Sequence, residues 1–211
     1  MAIRLPFVRR TFRGLLVAAG VLVPSALRAS GLPDGWTLEI KAEIILDKTY
    51  WEDKGKGRRV TERASSDWSR HFRVFALRDR LIVSRPDFTY DVTVDNKPAK
   101  KDAIGVPGGR WHCVKVRAAG DIEDMCATYR AEPNGVALRL RRDAIAGPWK
   151  GRIEEAYRLT VSPPSCQVEL IAVSGDLTQM LHAVVGKTTG YAQTGRLASG
   201  SCRLIKGREA F

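Results

Sequence analysis

The chain has 211 residues, 35 Lys+Arg against 23 Asp+Glu, a formal charge of +12, and 44% hydrophobic against 27% charged residues. That balance excludes a mostly disordered chain, and the composition excludes collagen-like and coiled-coil classes. Five of the positive charges, Arg4, Arg9, Arg10, Arg13 and Arg28, lie in the first 29 residues, which hold no acid, so the remaining 182 carry +7.

The first element predicted is an export signal. Its early arginines form a positive n-region, Gly14 to Val23 an apolar stretch, and Pro24 to Ala29 a short polar exit. Residues 1–29 therefore read as a signal peptide cleaved after Ala29, with cleavage after Gly31 as the alternative. The apolar stretch is well short of the roughly 20 residues a membrane-spanning helix needs, and no later segment supplies one. Arg9-Arg10-Thr11-Phe12 partly matches a twin-arginine signal, so both that route and the general secretory route stay open. Either delivers residues 30–211, read as a single antiparallel β domain, to the periplasm or the exterior.

Period-2 alternation dominates this domain. Trp36, Leu38, Ile40, Ala42 and Ile44 alternate with polar residues and predict a strand with one buried face. Residues 48–70 are polar and are expected as a long exposed loop, or a loop with a short helix near Ser65 to Arg70. His71 to Leu77 and Leu81 to Ser84 flank Arg78-Asp79-Arg80 as a hairpin, and Phe88 to Val94 alternates before a turn at Asp95-Asn96-Lys97-Pro98. Gly105 to Gly109 reads as a Gly-rich loop.

Three strands can be aligned next. Asn134-Gly135 is a tight-hairpin signal joining Cys126–Glu132 to Val136–Arg142, and with those two residues as the loop Arg130 falls opposite Arg139. Pairing Cys113 with Cys126 then registers Trp111–Arg117 beside them. Because side chains alternate, His112, Val114, Val116, Ala127, Tyr129, Ala131, Leu138 and Leu140 share an apolar face. The opposite face carries Trp111, Cys113, Lys115, Arg117, Cys126, Thr128, Arg130, Arg139 and Arg141. Downstream, Ile153 to Val161 and Cys166 to Val173 make strands around Pro163-Pro164, Leu177 to Val185 is a short-helix candidate with an apolar loop as the alternative, and Tyr191 to Ile205 forms one or two strands. The expected fold is all-β and mainly antiparallel, a β-sandwich or small β-barrel of about 8–10 strands with at most one or two short helices.

The four cysteines, Cys113, Cys126, Cys166 and Cys202, allow three connectivities. An oxidising destination makes two disulfides the default. Sequential pairing is preferred because Cys113 and Cys126 fall on opposite arms of a hairpin. Tyr157-Arg-Leu-Thr-Val161, Cys166 and the closing Ser201-Cys202-Arg-Leu-Ile-Lys-Gly207 with Phe211 resemble small secreted proteins of unknown function from alphaproteobacteria. The resemblance covers the last third and the signal peptide; it implies pairing of Cys166 with Cys202 and carries no activity.

Enzyme chemistry finds little support in the residue patterns. A Gly-x-Ser-x-Gly elbow and a Cys-x-x-Cys pair are both missing, and His112 and Cys113, as strand neighbours, point to opposite faces. His71, His112 and His182 are too scattered for a metal motif, and Gly105 to Arg110 lacks what a phosphate loop needs. Glu39 with Glu43, and Glu154 with Glu155, read as solvated face. No cofactor is expected.

The feature that remains is the face of Trp111, Lys115, Arg117, Arg130, Arg139 and Arg141. Arginine binds carboxylate or phosphate bidentately and an indole stacks on rings, so this face suits anions. Export, together with the lack of a nucleic-acid-binding motif, argues against nucleic acid. The expected function is a non-enzymatic binding or envelope-associated module, with an anionic envelope glycan, lipopolysaccharide or an acidic protein as partner. The alternative is an envelope hydrolase or glycan-modifying enzyme using carboxylates or His112.

Overall fold

The computed structural model describes residues 31–86, 89–94, 97–101, 103–118, 121–143, 149–179 and 186–211. The expected signal peptide, the 95–96 turn and most of the Leu177–Val185 helix candidate lie outside them; Leu177 to Gln179 are strand. Twelve strands form one antiparallel sheet: β1 (Trp36–Asp53), β2 (Arg58–Leu77), β3 (Arg80–Ser84), β4 (Thr89–Val94), β5 (Lys97–Lys101), β6 (Ala103–Pro107), β7 (His112–Ala118), β8 (Asp121–Glu132), β9 (Gly135–Asp143), β10 (Trp149–Ser162), β11 (Ser165–Gln179) and β12 (Thr188–Lys206). Their spatial order is β5-β4-β7-β8-β9-β10-β11-β12-β1-β2-β3-β6. The all-β expectation holds, with more and longer strands than expected.

The sheet curls because one face of nearly every strand is apolar and must be covered. On β1 the alternating residues Leu38, Ile40, Ala42, Ile44 and Leu46 are buried, and they meet Phe72, Val74 and Ala76 of β2, Leu81 and Val83 of β3, Leu138 of β9 and Leu159 of β10 in one core. The curl brings β6 round to β8, where Gly108 bridges Tyr129 and the Gly109 N–H donates to the Tyr129 carbonyl at 2.9 Å. That single parallel bridge is short of a continuous ladder, so the sheet is barrel-like without being closed.

Two segments expected as loops are strand. Apart from the turn at 54–57, residues 48–70 form the last third of β1 and most of β2, with Lys48 opposite Ala64 and Asp47 opposite Ser65. Alternation is hidden there because, beyond the core, the inward positions of β2 become small or polar, while the ladder to β1 still supplies the backbone hydrogen bonds. The turn between them is fixed by Asp53, whose carboxylate accepts from the N–H groups of Gly55 at 2.7 Å and Gly57 at 3.1 Å, both glycines having positive φ. Gly105 likewise lies in β6, opposite Ile82, with buried Ile104 and Val106 on either side.

The Cys113–Cys126 register and the division of faces stand, but the β8–β9 register differs from expectation. Thr128, not Arg130, is opposite Arg139, and Arg130 is opposite Ala137. The connection is Pro133-Asn134, with Glu132 opposite Gly135. A type I′ turn needs positive φ at its central residues, and proline at the first corner fixes φ near −65°, so proline takes the corner and Asn-Gly does not form it. Gly135 serves another need: a Cβ there would collide with the Leu159 carbonyl of β10. Because the shift is two residues, every side chain keeps its face.

β12 is one strand, inserted between β11 and β1. Its ladder to β11 runs from Val173 opposite Gly195 to Gln179 opposite Thr189. The same alignment continued past Val173 brings Cys166 level with Cys202, and these two form a disulfide with Cα atoms 5.5 Å apart. With Cys113–Cys126, all four cysteines are paired as expected. Two cross-strand cystines suit an oxidising, extracytoplasmic compartment.

One ion pair sits inside the curl. Arg70 of β2 reaches Glu155 of β10 through Nε–Oε2 and Nη2–Oε1 contacts of 3.0 Å each, and the Tyr157 hydroxyl donates to Oε2 at 2.5 Å. Arg70 and Glu155 are only 5% and 4% exposed, so Glu155 is not the solvated carboxylate expected. Burial pulls the Arg70 guanidinium down to about 10 while Glu155 works to keep it charged, and burial, then Glu155, pushes the Tyr157 hydroxyl up. The Trp68 ring lies 3.0 Å from the Arg70 guanidinium carbon, covering the pair.

A buried charge without its partner is costly, whereas replacing a whole buried pair with apolar groups is often neutral or better. Arg70→Met or Glu155→Leu alone should lower unfolding free energy by about 3–5 kcal/mol, and Arg70→Met/Glu155→Leu/Tyr157→Phe should recover most of it. Urea unfolding monitored by circular dichroism measures this. Unchanged stability in the single variants would show that the pair does not hold β2 to β10.

Candidate functional site

The cationic face forms on the outer side of β7 to β11. Trp111, just before β7, is set by the Cys113–Cys126 ladder next to β8, and its ring reaches across β8 toward β9, with the guanidinium carbons of Arg139 and Arg141 at 5.3 and 4.7 Å from its ring centre. Both are cation–π contacts, so three of the six expected site residues meet in one cluster. Arg130 lies two positions along β8 from Thr128 and is highly exposed. Lys115 is exposed at a register position between Asp91 of β4 and Asp124 of β8. The backbone of Arg117 stands opposite Thr89 and Ile122, and its side chain lies outside the described residues.

Beside this cluster runs a groove of about 490 Å³ lined by Thr128, Arg130, Ala137, Arg139, Ala156 and Ile171, among others. Its floor is low because Ala137 and Ala156 carry no bulk beyond Cβ, and its apolar wall comes from a bulge. Between Ala156 opposite Ala172 and Tyr157 opposite Leu170, Ile171 is the extra residue, and it stands 48% exposed. A bulge re-aims a side chain in this way, and no local sequence signal announces it.

Carboxylates answer the arginines here. Arg139 meets Glu154 at 2.8 Å, Arg130 meets Glu132 at 3.3 Å, and Arg141 and Arg152 share Asp143 at 2.8 and 2.9 Å. Arg158 bridges Glu132 and Glu169 at 3.2 and 3.0 Å. Five arginines therefore share four carboxylates. The side chains of Glu123 and Asp124, two further acids of β8, lie outside the described residues. The Arg139 and Arg130 side chains remain 54% and 78% exposed, and exposed pairs of this kind are worth at most about 1 kcal/mol. A ligand carboxylate or phosphate can replace such a protein carboxylate at little cost.

A second charged cluster, which residue patterns alone do not reveal, lies on the outer side of β12, β1 and β2. Glu39 lies opposite Arg73 on β2 and Arg203 on β12, and bonds to them at 3.0 and 2.6 Å, with the His71 ring at 3.3 Å. The C-terminal residues cross over it. Thr37 donates to the Gly207 carbonyl, the Glu209 N–H donates to Thr37, and the Phe211 ring rests 4.2 Å from the Arg73 guanidinium and 4.6 Å from His71. Glu39 is thereby buried, so it is not a solvated carboxylate either. Burial raises its pKa, but the bonds from Arg73, Arg203 and His71 outweigh this and hold it down to about 2.

The remaining titratable candidates do not converge on a site. Burial, helped by Arg80 and Arg110, lowers the His112 pKa, and His71 is engaged with Glu39 and Phe211. His182 lies outside the described residues. Among the described residues no group of three His, Cys, Asp or Glu side chains could hold a metal ion. No protein-family model, curated protein or solved structure matches the chain.

Glu39 is depressed in the folded state, so its stabilising contribution is fully present above its ordinary pKa of 4.5 and is lost as pH falls toward about 2. Unfolding midpoints in urea should decline across that window. Glu39→Gln should be less stable than the parent at pH 7 and show a shallower decline between pH 4.5 and 2. Parallel curves for the two proteins would remove Glu39 from the acid response.

Proposed function

We propose that this chain is an exported, extracytoplasmic binding module whose Trp111–Arg139–Arg141 face and adjoining groove take an anionic envelope glycan. The observation that carries this reading is the indole in cation–π contact with two guanidinium groups beside a partly apolar groove. Such a surface offers a ring platform for a sugar and forked donors for its carboxylate or phosphate.

The arginine-rich N-terminus with its apolar stretch supports export, and the cystines support the compartment. Transmembrane barrels turn apolar residues outward to lipid. Here the apolar residues point inward and ion pairs cover the outside, which supports a water-facing module. The small excess of cations fits a modest, salt-sensitive attachment with specificity from the groove, and lipopolysaccharide presents the same anionic chemistry.

Retention of the purified protein on immobilised polygalacturonate, eluted with a sodium chloride gradient, tests the reading. Trp111→Ala and Arg139→Ala should each weaken retention about three- to tenfold, and Arg130→Ala/Arg139→Ala more, as loss of a cation–π or charge-assisted contact requires. Arg196→Ala, on exposed β12, should elute with the parent protein. Equal elution of all variants would take the face out of consideration.

A further inference from the structure

β2 has an uncovered edge. Its ladder to β1 is continuous apart from one bulge, yet β3 pairs with it only from Arg73 to Leu77. From Arg58 to Phe72 no strand lies on that side among the described residues. An open edge presents a row of unpaired N–H and C=O groups and is a template for another strand. Chain near Arg85 and Pro86 borders the stretch about Ser69 to His71, which leaves Glu62 to Trp68 as the accessible run.

Within this run the outward-facing residues are Arg63, Ser65 and Asp67, all exposed. Across the sheet they meet Thr49, Asp47 and Ile45, and only Ser65 finds a partner there, donating to Asp47 at 2.6 Å. Arg63 and Asp67 have no ion-pair partner among the described residues, whereas Arg130, Arg139, Arg141, Arg152 and Arg158 each have one.

We propose that two copies of this chain join through their β2 edges, antiparallel, about a twofold axis at Ser65. A twofold axis normal to the sheet keeps the outer faces of both copies on one side, so directly opposed residues share a face. Centred on Ser65, the register sets Arg63 opposite the partner's Asp67 and Asp67 opposite the partner's Arg63, with Ala64 opposite Ser66. Opposite charges facing each other across strands stabilise the pairing.

Neighbouring registers lack this match. Centring on Arg63 or Asp67 opposes like charges, and centring on Ala64 or Ser66 leaves both charges facing hydroxyls. The bulge between Tyr50 and Trp51 displaces β2 at Thr61, outside the paired run. A contact of about seven residues per strand is small beside the 1,200 Å² or so of a stable interface, so the dimer is weak and concentration-dependent.

Sedimentation velocity of the purified protein, from about 1 μM to about 1 mM, should show mass rising from one chain toward two. Arg63→Asp and Asp67→Arg, each opposing like charges, should weaken association about tenfold. Arg63→Asp/Asp67→Arg restores opposite charges and should recover it. Circular dichroism of each variant separates a folding defect from lost pairing. A single-chain mass at every concentration, association unchanged in the single variants, or a double variant as weak as the singles would overturn the proposal.

Discussion

The structure rests on backbone pairing along β1. Seventeen of its eighteen residues, Thr37 to Asp53, lie between two strands, β12 on one side and β2 on the other, so its hydrogen-bonding groups are satisfied along nearly the whole length. That double ladder fixes which side chains turn inward. It also lets β1 and β2 run past the core into a region where neither face is apolar enough to hold them by burial. Shorter strands at either side add the remaining wall, and the curl that buries the apolar face brings β6 against β8.

One pairing pattern, an arginine set against a carboxylate on another strand, has three different consequences here because burial differs. Arg70 and Glu155 meet in a dry interior, where each alone would be costly and the match fixes how β2 crosses β10. Arg73 and Arg203 meet Glu39 beneath the C-terminal residues, which hold a carboxylate charged without removing it wholly from the surface. Arg139 and Glu154 meet in water, where the bond is weak and can be exchanged. The third arrangement is the one suited to binding.

Much of the fold is legible in the chain because turn chemistry and alternation act locally. Trp36 to Ile44 shows its buried face directly, the Arg78-Asp79 hairpin forms where its flanking apolar runs indicate, and Cys113 with Cys126 aligns β7 with β8. What stays hidden depends on partners far away in sequence. Residues 58–70 look like loop until β1 is laid beside them. Glu155 looks like any alternating acid until Arg70, 85 residues earlier, arrives from the other wall. That Trp111 shares a face with Arg139 and Arg141 is recoverable from the turn, the Cys113–Cys126 pairing and side-chain alternation together. The acids that neutralise them require β10 to be placed.

The position of β12 sets the order in which the sheet can be completed. Although it is the last strand in sequence, it lies between β11 and β1, so until residues 188–206 are available both neighbours present open edges and the two halves of the wall are joined only through other strands. Pairing β1 with β12 closes a loop of most of the chain, the kind of non-local contact that makes folding slow and leaves intermediates sticky. A chain emerging amino-terminus first would therefore hold an unfinished sheet until its final strand was available. The central seam, rather than either margin, is where assembly ends.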